Sequence, residues 1–233
     1  MSRLRPDAPQ IHGQAPDNIA FEKIKDHGDP DKAFEECDQI FTDEFGTPVN
    51  HNCYAEFHVA VADFSNPKKL TLWSPLQGAP GFQESIGSAF GLSQSQIQLH
   101  YLNVGGAFTG RGRPKLFHFV AILLSRKTGR PVKIRAKGDE EFLVGNLAGG
   151  NMFRFRTGVT KEGKIKVIEA DVVLDCGAHP ETQTMLIMIL DGALSRLYGV
   201  DAVRYHGRLV YTNNKPYFCH HGGPIGQMNA GWM

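Results

Sequence analysis

Glycine clusters are the feature of this sequence whose residue type and spacing most directly suggest binding chemistry. Several of the 26 glycines lie close together instead of being scattered: Gly105-Gly106, Gly110 with Gly112, Gly149-Gly150 and Gly222-Gly223. Because glycine has no Cβ atom, such clusters are typical of tight turns or of backbone that approaches a ligand closely. The cluster at 105–112 lacks the Gly-x-Gly-x-x-Gly and Walker A spacings, so it does not indicate a dinucleotide or nucleoside triphosphate site. Taken alone, it would also fit a plain turn between a strand and a helix.

A second group with chemical potential is the run Cys219-His220-His221. Thiolate and imidazole are good ligands for zinc or copper, and Cys176, His179 and His206 could approach this run in the fold. The sequence spacing itself gives no support for such a site. The four cysteines are widely spaced without a Cys-x-x-Cys pair, so neither a disulfide framework nor a zinc ribbon is indicated.

Composition narrows the class of protein. The chain has 233 residues, of which 41% are hydrophobic and 21% are charged, which is ordinary for a globular protein. The formal net charge of +1 leaves no basic surplus for a nucleic acid partner. The longest apolar runs, at 119–124 and 185–190, are far shorter than the roughly 18 residues that span a bilayer. The polar start of the chain lacks a secretory h-region, so we expect a cytoplasmic protein with no membrane partner.

Hydrophobic periodicity predicts a mixture of helices and strands. Residues 1–28 are rich in proline and polar residues and are predicted to be an extended lead-in segment or linker, with the folded region over 29–233. Helices are predicted near 29–37, 80–92, 116–125, 139–146 and 181–197. Strands are predicted near 39–49, 51–64, 70–73, 96–104, 131–137, 153–160, 165–175 and 203–211, with a hairpin turn at 161–164. The predicted fold class is α+β with mixed sheets and packed helices.

Three segments in a fixed order carry a recognisable family pattern. They are Leu72-Trp73-Ser74-Pro75-Leu76-Gln77, then Val104-Gly105-Gly106-Ala107-Phe108-Thr109-Gly110-Arg111, then Gly129-Arg130-Pro131-Val132-Lys133 followed by Asp139-Glu140-Glu141. Flanking pieces agree with them: Asn50-His51 with Glu56 and His58, the stretch 171–178 ending Asp-Cys-Gly-Ala, and Thr212-Asn213-Asn214-Lys215-Pro216. From about residue 28 to 233, the chain resembles the molybdenum-cofactor-binding subunit of the xanthine dehydrogenase and aldehyde oxidase family.

The resemblance implies roles for individual residues. Gln77 occupies the place of a glutamine that hydrogen-bonds an oxygen ligand of the molybdenum, and an amide suits this role because it donates or accepts without adding charge. Gly105, Gly106 and Ala107 correspond to backbone that offers amides to the cofactor, and Phe108 to an aromatic wall of the substrate pocket. The resemblance also assigns the loop at 218–227 to the site, with Gly222 and Gly223 as cofactor-binding backbone.

One departure concerns the substrate loop. The family's Arg-Gly pair is replaced here by Cys219-His220-His221-Gly222-Gly223, so His221 or His220 would take the arginine's place as a donor, with a pH-dependent charge. Gly112 falls where some relatives carry a glutamate that binds a purine, so xanthine itself is not favoured as the substrate.

The family's reaction is the oxidative hydroxylation of an aldehyde or an N-heterocycle with water as the oxygen source, and the molybdenum-molybdopterin cofactor supplies that chemistry. No iron-sulfur cysteine pattern occurs in the sequence, so iron-sulfur and flavin groups would belong to partner subunits or domains. The family's catalytic glutamate and much of its cofactor cradle lie downstream of the residues present. We therefore expect a component or fragment of a hydroxylase, active with a further molybdopterin-binding polypeptide and exposing an apolar interface. The alternative is a non-catalytic metal-binding or scaffolding subunit.

Overall fold

A computed structural model of the chain describes residues 8–215, except 52, 54, 109, 146, 181, 182 and 198. The chain folds into two compact units, of which unit 1 comprises residues 1–50 and 147–233 and unit 2 comprises residues 51–146. Two short strands, β3 (Asn50–His51) and β8 (Leu147–Ala148), lie where the chain passes from one unit to the other. The predicted boundary at residue 28 does not coincide with either of these crossing points.

Unit 1 is built on a five-stranded sheet with the order β1-β11-β10-β9-β2. Its strands are β1 (Ile19–His27), β2 (Gln39–Thr47), β9 (Asn151–Val159), β10 (Ile165–Gly177) and β11 (Ala202–Tyr211). Neighbouring strands are antiparallel except β10 and β11, which are parallel. The predicted hairpin is confirmed, because β9 and β10 pair antiparallel around it. The segment predicted as a linker contains β1, which is an integral edge strand of the sheet.

Helices pack on both faces of the sheet of unit 1, but one of them is short and covers only part of its face. Helix α5 (Gln183–Leu197) lies in the connection between the parallel strands β10 and β11, and its apolar side packs on one face of the sheet. Side chains alternate between the two faces of a strand, so alternate residues of β10, such as Ile168 and Val172, enter this core. The short helix α1 (Pro30–Glu35) packs through Phe34 against Val167 on the other face.

Unit 2 is built on a four-stranded sheet with the order β6-β5-β4-β7. Its elements are β4 (Val59–Asp63), β5 (Leu70–Ser74), α2 (Ala79–Phe90), β6 (Ile97–Tyr101), α3 (Leu116–Thr128), β7 (Val132–Arg135) and α4 (Gly138–Val144). Strands β5 and β6 are parallel and are joined through α2. Helices α2 and α3 pack on the sheet through a common core that includes Phe82, Ile86, Phe117 and Ile122.

The α+β fold class with mixed sheets is confirmed, and each helix predicted from periodicity is present within a few residues of its expected bounds. One side of α3 is buried, but Leu116 and Leu123 on the other side are 73% and 55% exposed. In the part of the chain that the structure describes, no helix is both long and apolar enough to cross a membrane.

Candidate active site in unit 2

The end of strand β5 presents Gln77 to solvent. Alternation buries Leu70, Leu72 and Ser74, and the chain remains buried through Leu76 before it emerges at Gln77. The backbone amide of Gln77 donates a hydrogen bond of 3.0 Å to the carbonyl oxygen of Arg111. This bond joins the segment after β5 directly to the glycine-rich segment after β6.

The glycine loop is defined as residues 105–108 with 110 and 111. Two of its residues have a positive φ angle. Gly106 has φ of 106°, which glycine adopts without strain, whereas Phe108 has φ of 42°, which is uncommon for a bulky residue. The Phe108 side chain is 49% exposed. A residue held in this way needs contacts from the surrounding structure to keep it there.

Glu56 and Arg111 hold the start of the loop, at Gly105 and Gly106, from behind. The amide of Gly105 donates to Glu56 Oε2 at 2.7 Å. The side chain of Arg111, which is only 2% exposed, donates from Nε to the carbonyl oxygen of Gly106 at 2.9 Å and from Nη2 to that of Glu56 at 2.6 Å. Arg111 Nη2 also lies 3.2 Å from Glu56 Oε2, so the two side chains form an ion pair.

A buried histidine and glutamate support the same segment at its other end. The amide of His58 donates to Glu141 Oε2 at 2.8 Å, and His58 Nδ1 pairs with Glu141 Oε1. The other ring nitrogen of His58 lies 3.4 Å from the carbonyl oxygen of Gly110. Both side chains are buried, so this pair links the start of β4, helix α4 and the glycine loop inside unit 2.

His118, in the first turn of α3, is a neutral structural histidine. Its Nδ1 accepts the amide of Lys115 at 2.9 Å, and its Nε2 lies 3.0 Å from Ser74 Oγ, whose hydroxyl donates to the carbonyl oxygen of Val59 at 2.7 Å. Burial, followed by the proximity of His58, lowers the pKa of His118 to about 3. The uncharged ring therefore fastens α3 to Ser74, three residues before Gln77.

The outer side of the glycine loop offers hydrogen-bond donors. Within the described residues, the backbone amides of Gly106 and Ala107 have no hydrogen-bond partner, and the side-chain amide of Gln77 has none either. Consecutive free amides of this kind form a concave donor group that suits an anion or a metal-bound oxygen. The carboxylate of Glu56 is engaged by Gly105 and Arg111. The loop can therefore hold and orient an anionic group, and the chemistry would have to come from that group.

Unit 1 contains a separate pocket of about 350 Å³ on the open face of its sheet. Its apolar lining includes Met152 and Val173, and four of the charged residues around it form two ion pairs, Arg154 with Glu44 and Arg208 with Asp171. The arrangement of these ion pairs is that of a charged sheet face, not of a catalytic centre.

The comparison with known proteins identifies the family. The family model for the molybdopterin cofactor-binding domain matches residues 11–223. The chain belongs to this family. As a molybdopterin cofactor-binding domain protein, it is similar over 197 residues to aldehyde oxidase 3 of Mus musculus, with 26% identity, 84% of this chain covered and 15% of that protein. It is also 27% identical over 239 residues to the nicotinate dehydrogenase large molybdopterin subunit of Eubacterium barkeri, covering 97% of this chain and 55% of that subunit.

Solved structures agree with this assignment. The aldehyde oxidoreductase from Desulfovibrio gigas matches 95% of this chain with a TM-score of 0.84 and 25% identity, over 24% of its own length. Quinoline 2-oxidoreductase from Pseudomonas putida 86 has the same fold with a TM-score of 0.86 at 21% identity. The resemblance to the xanthine dehydrogenase and aldehyde oxidase family is thus confirmed, and these relatives are oxidoreductases. The domain protein spans between 15% and 55% of the lengths of the two curated relatives named above.

The predicted site residues divide into two sets. Gln77, Gly105, Gly106, Ala107 and Phe108 all lie in unit 2, on two segments that a hydrogen bond joins. His221, Gly222 and Gly223, with the rest of the loop at 218–227, lie outside the described residues. Among the described residues of this domain protein, no group of three or more His, Cys, Asp or Glu side chains is placed to hold a metal ion.

Sequence reasoning gave no role to the residues behind the loop. Arg111, Glu56, His58 and Glu141 were all part of the quoted family segments, but their contacts with one another were not anticipated. The described members of the alternative metal set have other partners: Cys176 is buried and its thiol donates to the carbonyl oxygen of Val210, while His206 Nε2 lies 2.7 Å from Glu22. Burial raises the pKa of Cys176 to about 12, which makes its thiolate a minor species at neutral pH.

Proposed function

We propose that this chain is a component of a molybdenum hydroxylase that holds the molybdopterin cofactor against the glycine loop and Gln77. The proposed reaction is the oxidative hydroxylation of an aldehyde or an N-heterocycle, with water as the source of oxygen. The observation that carries the proposal is the hydrogen bond between Gln77 and Arg111, which brings the glutamine segment and the donor-rich glycine loop together in a chain of this family.

The residues of this chain fit an anionic, oxygen-bearing group. The free amides of Gly106 and Ala107 would donate hydrogen bonds to it, and the Gln77 side chain would donate to or accept from an oxygen without adding charge. The exposed ring of Phe108 would form a wall for a planar substrate and exclude water from one side of it. The molybdenum-pterin group, when bound, supplies the two-electron oxidation itself.

The remaining parts of the enzyme would come from partners. The proposed partners are a polypeptide that completes the molybdopterin cradle, an iron-sulfur subunit and a flavin subunit that carry electrons away, all in the cytoplasm. Two observations support this: the sequence has no iron-sulfur cysteine pattern, and one curated relative is named as the large molybdopterin subunit of its enzyme. The loop at 218–227, with His221, Gly222 and Gly223, is proposed to lie at the same site.

The test is molybdenum analysis of the protein purified under mild conditions with whatever co-purifies, together with pterin fluorescence after acid oxidation. We expect stoichiometric molybdenum and pterin in the complex with the partner polypeptide. Replacing Gly106 with alanine strains the backbone at φ of 106° and shifts its free amide, so molybdenum content should fall about tenfold, the effect of losing one well-placed charge-assisted hydrogen bond.

A matched control separates backbone strain from loss of the site. Gly91, at the end of α2, also has positive φ, and a Cβ atom there would meet nothing within 4 Å. Gly91→Ala should therefore cost similar folding stability while leaving molybdenum content unchanged. A native complex that contains zinc or copper and no molybdenum would refute the hydroxylase proposal in favour of a metal-binding subunit.

A further inference from the structure

Arg111 is an unusual residue to find in the interior of unit 2. Its guanidinium group is buried behind an exposed loop and bonded to the carbonyl oxygens of Gly106 and Glu56 and to the Glu56 carboxylate. A buried guanidinium is costly unless its charge is paired and its donors are used. Glu56 pairs the charge of Arg111, and the planar fork of arginine presents Nε and Nη2 to the two backbone oxygens in fixed directions.

Glu56 and Arg111 form an ion pair that contacts the backbone on both sides of the candidate site. The Glu56 carboxylate accepts the amide of Gly105, the Arg111 side chain holds the carbonyl oxygen of Gly106, and the Arg111 carbonyl oxygen accepts the amide of Gln77. The pair therefore fixes the ends of the stretch that contains the positive-φ residues Gly106 and Phe108.

The charge balance between Glu56 and Arg111 indicates that the pair holds the conformation of the loop. Glu56 Oε2 lies 3.2 Å from Arg111 Nη2, so the positive charge behind the loop is compensated by a negative one. A pair that served mainly to attract an anion would leave the guanidinium uncompensated. The Glu56 side chain also accepts the amide of Gly105, so that among the described residues the amides of Gly106 and Ala107 are the ones left without a partner.

We infer that Glu56 and Arg111 act as positioning residues for cofactor binding, by holding the glycine loop in its binding shape before the cofactor arrives. The inference rests on the proposed function for its final step, because it takes the molybdopterin cofactor to be the group that the loop receives. Preorganised donors bind more tightly because no ordering cost remains to be met on binding. Neither residue touches the cofactor in this proposal, and each acts through the backbone amides.

The experiment has two readouts on the same variants. The first is amide hydrogen exchange at residues 105–110 in the protein without cofactor, which reports the loop alone. The second is the rate at which the native molybdopterin complex loses molybdenum on dialysis. Arg111→Met removes the donors and keeps the aliphatic stem, whereas Arg111→Lys keeps the charge and one donor group. Arg113→Met removes the same charge from an exposed neighbour and is the matched control.

Arg111→Met should speed exchange of the Gly105 amide by about tenfold, the equivalent of one charge-assisted hydrogen bond, and should speed molybdenum loss by a similar factor. Arg111→Lys should restore most of both, and Arg113→Met should change neither. Glu56→Gln, a milder variant that keeps the side-chain shape, should also speed molybdenum loss. If the charge behind the loop mattered more than its shape, Glu56→Gln would slow that loss, and this result would overturn the inference.

Two further results would also overturn it. One is unchanged exchange at residues 105–110 in folded Arg111→Met and Glu56→Gln proteins. The other is faster exchange with unchanged molybdenum retention, which would make the pair structural only. Absence of molybdenum from the native wild-type complex would instead refute the proposed function and with it the cofactor step, and the exchange measurement would still decide whether the pair holds the loop.

Discussion

Acidification should destabilise unit 2 through His118, which lies in the first turn of α3. The ring is 2% exposed, and its Nδ1 already accepts the Lys115 amide, so a second proton would break that bond and place an unpaired charge in the core. Burial lowers the pKa of this histidine to about 3 from the ordinary value of 6.5. The unfolded chain therefore binds a proton between these two pKa values that the folded chain does not bind.

The direction and size of the effect follow from linkage. A histidine whose pKa is depressed by folding contributes stability that is complete above its unfolded pKa and is lost as the pH falls below it. For pKa values of about 3 and 6.5, the free energy of unfolding should fall by about 2 kcal/mol between roughly pH 7 and pH 5.

Urea unfolding followed by tryptophan fluorescence measures this loss. Trp73 lies in β5 of unit 2 and stacks on His100, and Trp232→Phe removes the other tryptophan of the chain. The comparison is with His118→Gln, whose side-chain amide can still donate to Ser74 but does not titrate. Subtracting the two pH profiles cancels the titrating groups that lie far from His118.

The free energy of unfolding of the wild type, minus that of His118→Gln, should increase by about 2 kcal/mol as the pH is raised from roughly 5 to 7. Parallel profiles for the wild type and His118→Gln, with both proteins folded, would refute the reasoning. They would mean that His118 keeps an ordinary pKa in the folded state, either because its ring reaches water or because it is protonated in the fold.

Two other predictions concern unit 1. Asp191 on α5 is buried, which favours its protonated form, but hydrogen bonds from Lys23 and His27 of β1 outweigh burial and hold its pKa below the ordinary value. Asp191→Asn should therefore lower the free energy of unfolding by about 1–3 kcal/mol near neutral pH, measured by urea denaturation, and no change would contradict this account. Gly177 has φ of 65°, and a Cβ atom there would lie 2.2 Å from the carbonyl oxygen of Lys215. Gly177→Ala should lower the thermal midpoint by several degrees, a cost of about 1–3 kcal/mol, and an unchanged midpoint would count against this packing.

Local periodicity was enough to predict most of the elements. Strands β9 and β10 alternate between core and open-face side chains, and their turn at 161–164 joins them directly, so both the elements and their pairing follow from neighbouring residues. The parallel pairing of β10 with β11, and the division into two units, depend on contacts between distant parts of the chain. A single sequence carries no local signal for such contacts.

The charged composition of strand β1 explains why the sequence predicts a linker over residues 1–28. Its residues from Lys23 to His27 are mostly charged, a composition that is typical of exposed segments. The structure explains the charges, because Lys23 and His27 pair with Asp191 on a helix that lies more than 160 residues later in the chain. A polar edge strand of this kind becomes recognisable only when its distant partner is known.

The motif pattern of the sequence predicted the residues of the candidate site, but it did not predict the contacts that hold these residues in place. Gln77 and Phe108 stand at family positions that a sequence displays directly. The Arg111 side chain forms its bond with Glu56 across 55 positions, and nothing in either local sequence predicts that they meet. The residues that present the site therefore stand in a recognisable local pattern, whereas the residues that hold it in shape meet only through the fold.

Gly105 and Gly106 are adjacent, but glycine is required at each position for a different physical reason. The sequence interpretation gave both glycines the same reason, the close approach of amides to an anionic ligand. In the structure, a Cβ atom on Gly105 would lie 2.9 Å from Glu56 Cβ, so glycine is needed there because of the side chain behind the loop. Gly106 is needed because its φ is 106°, a conformation that residues other than glycine rarely adopt. The first glycine therefore admits the supporting glutamate and the second turns the chain. Among the described residues of the loop, the amides of Gly106 and Ala107 have no partner and can meet a ligand.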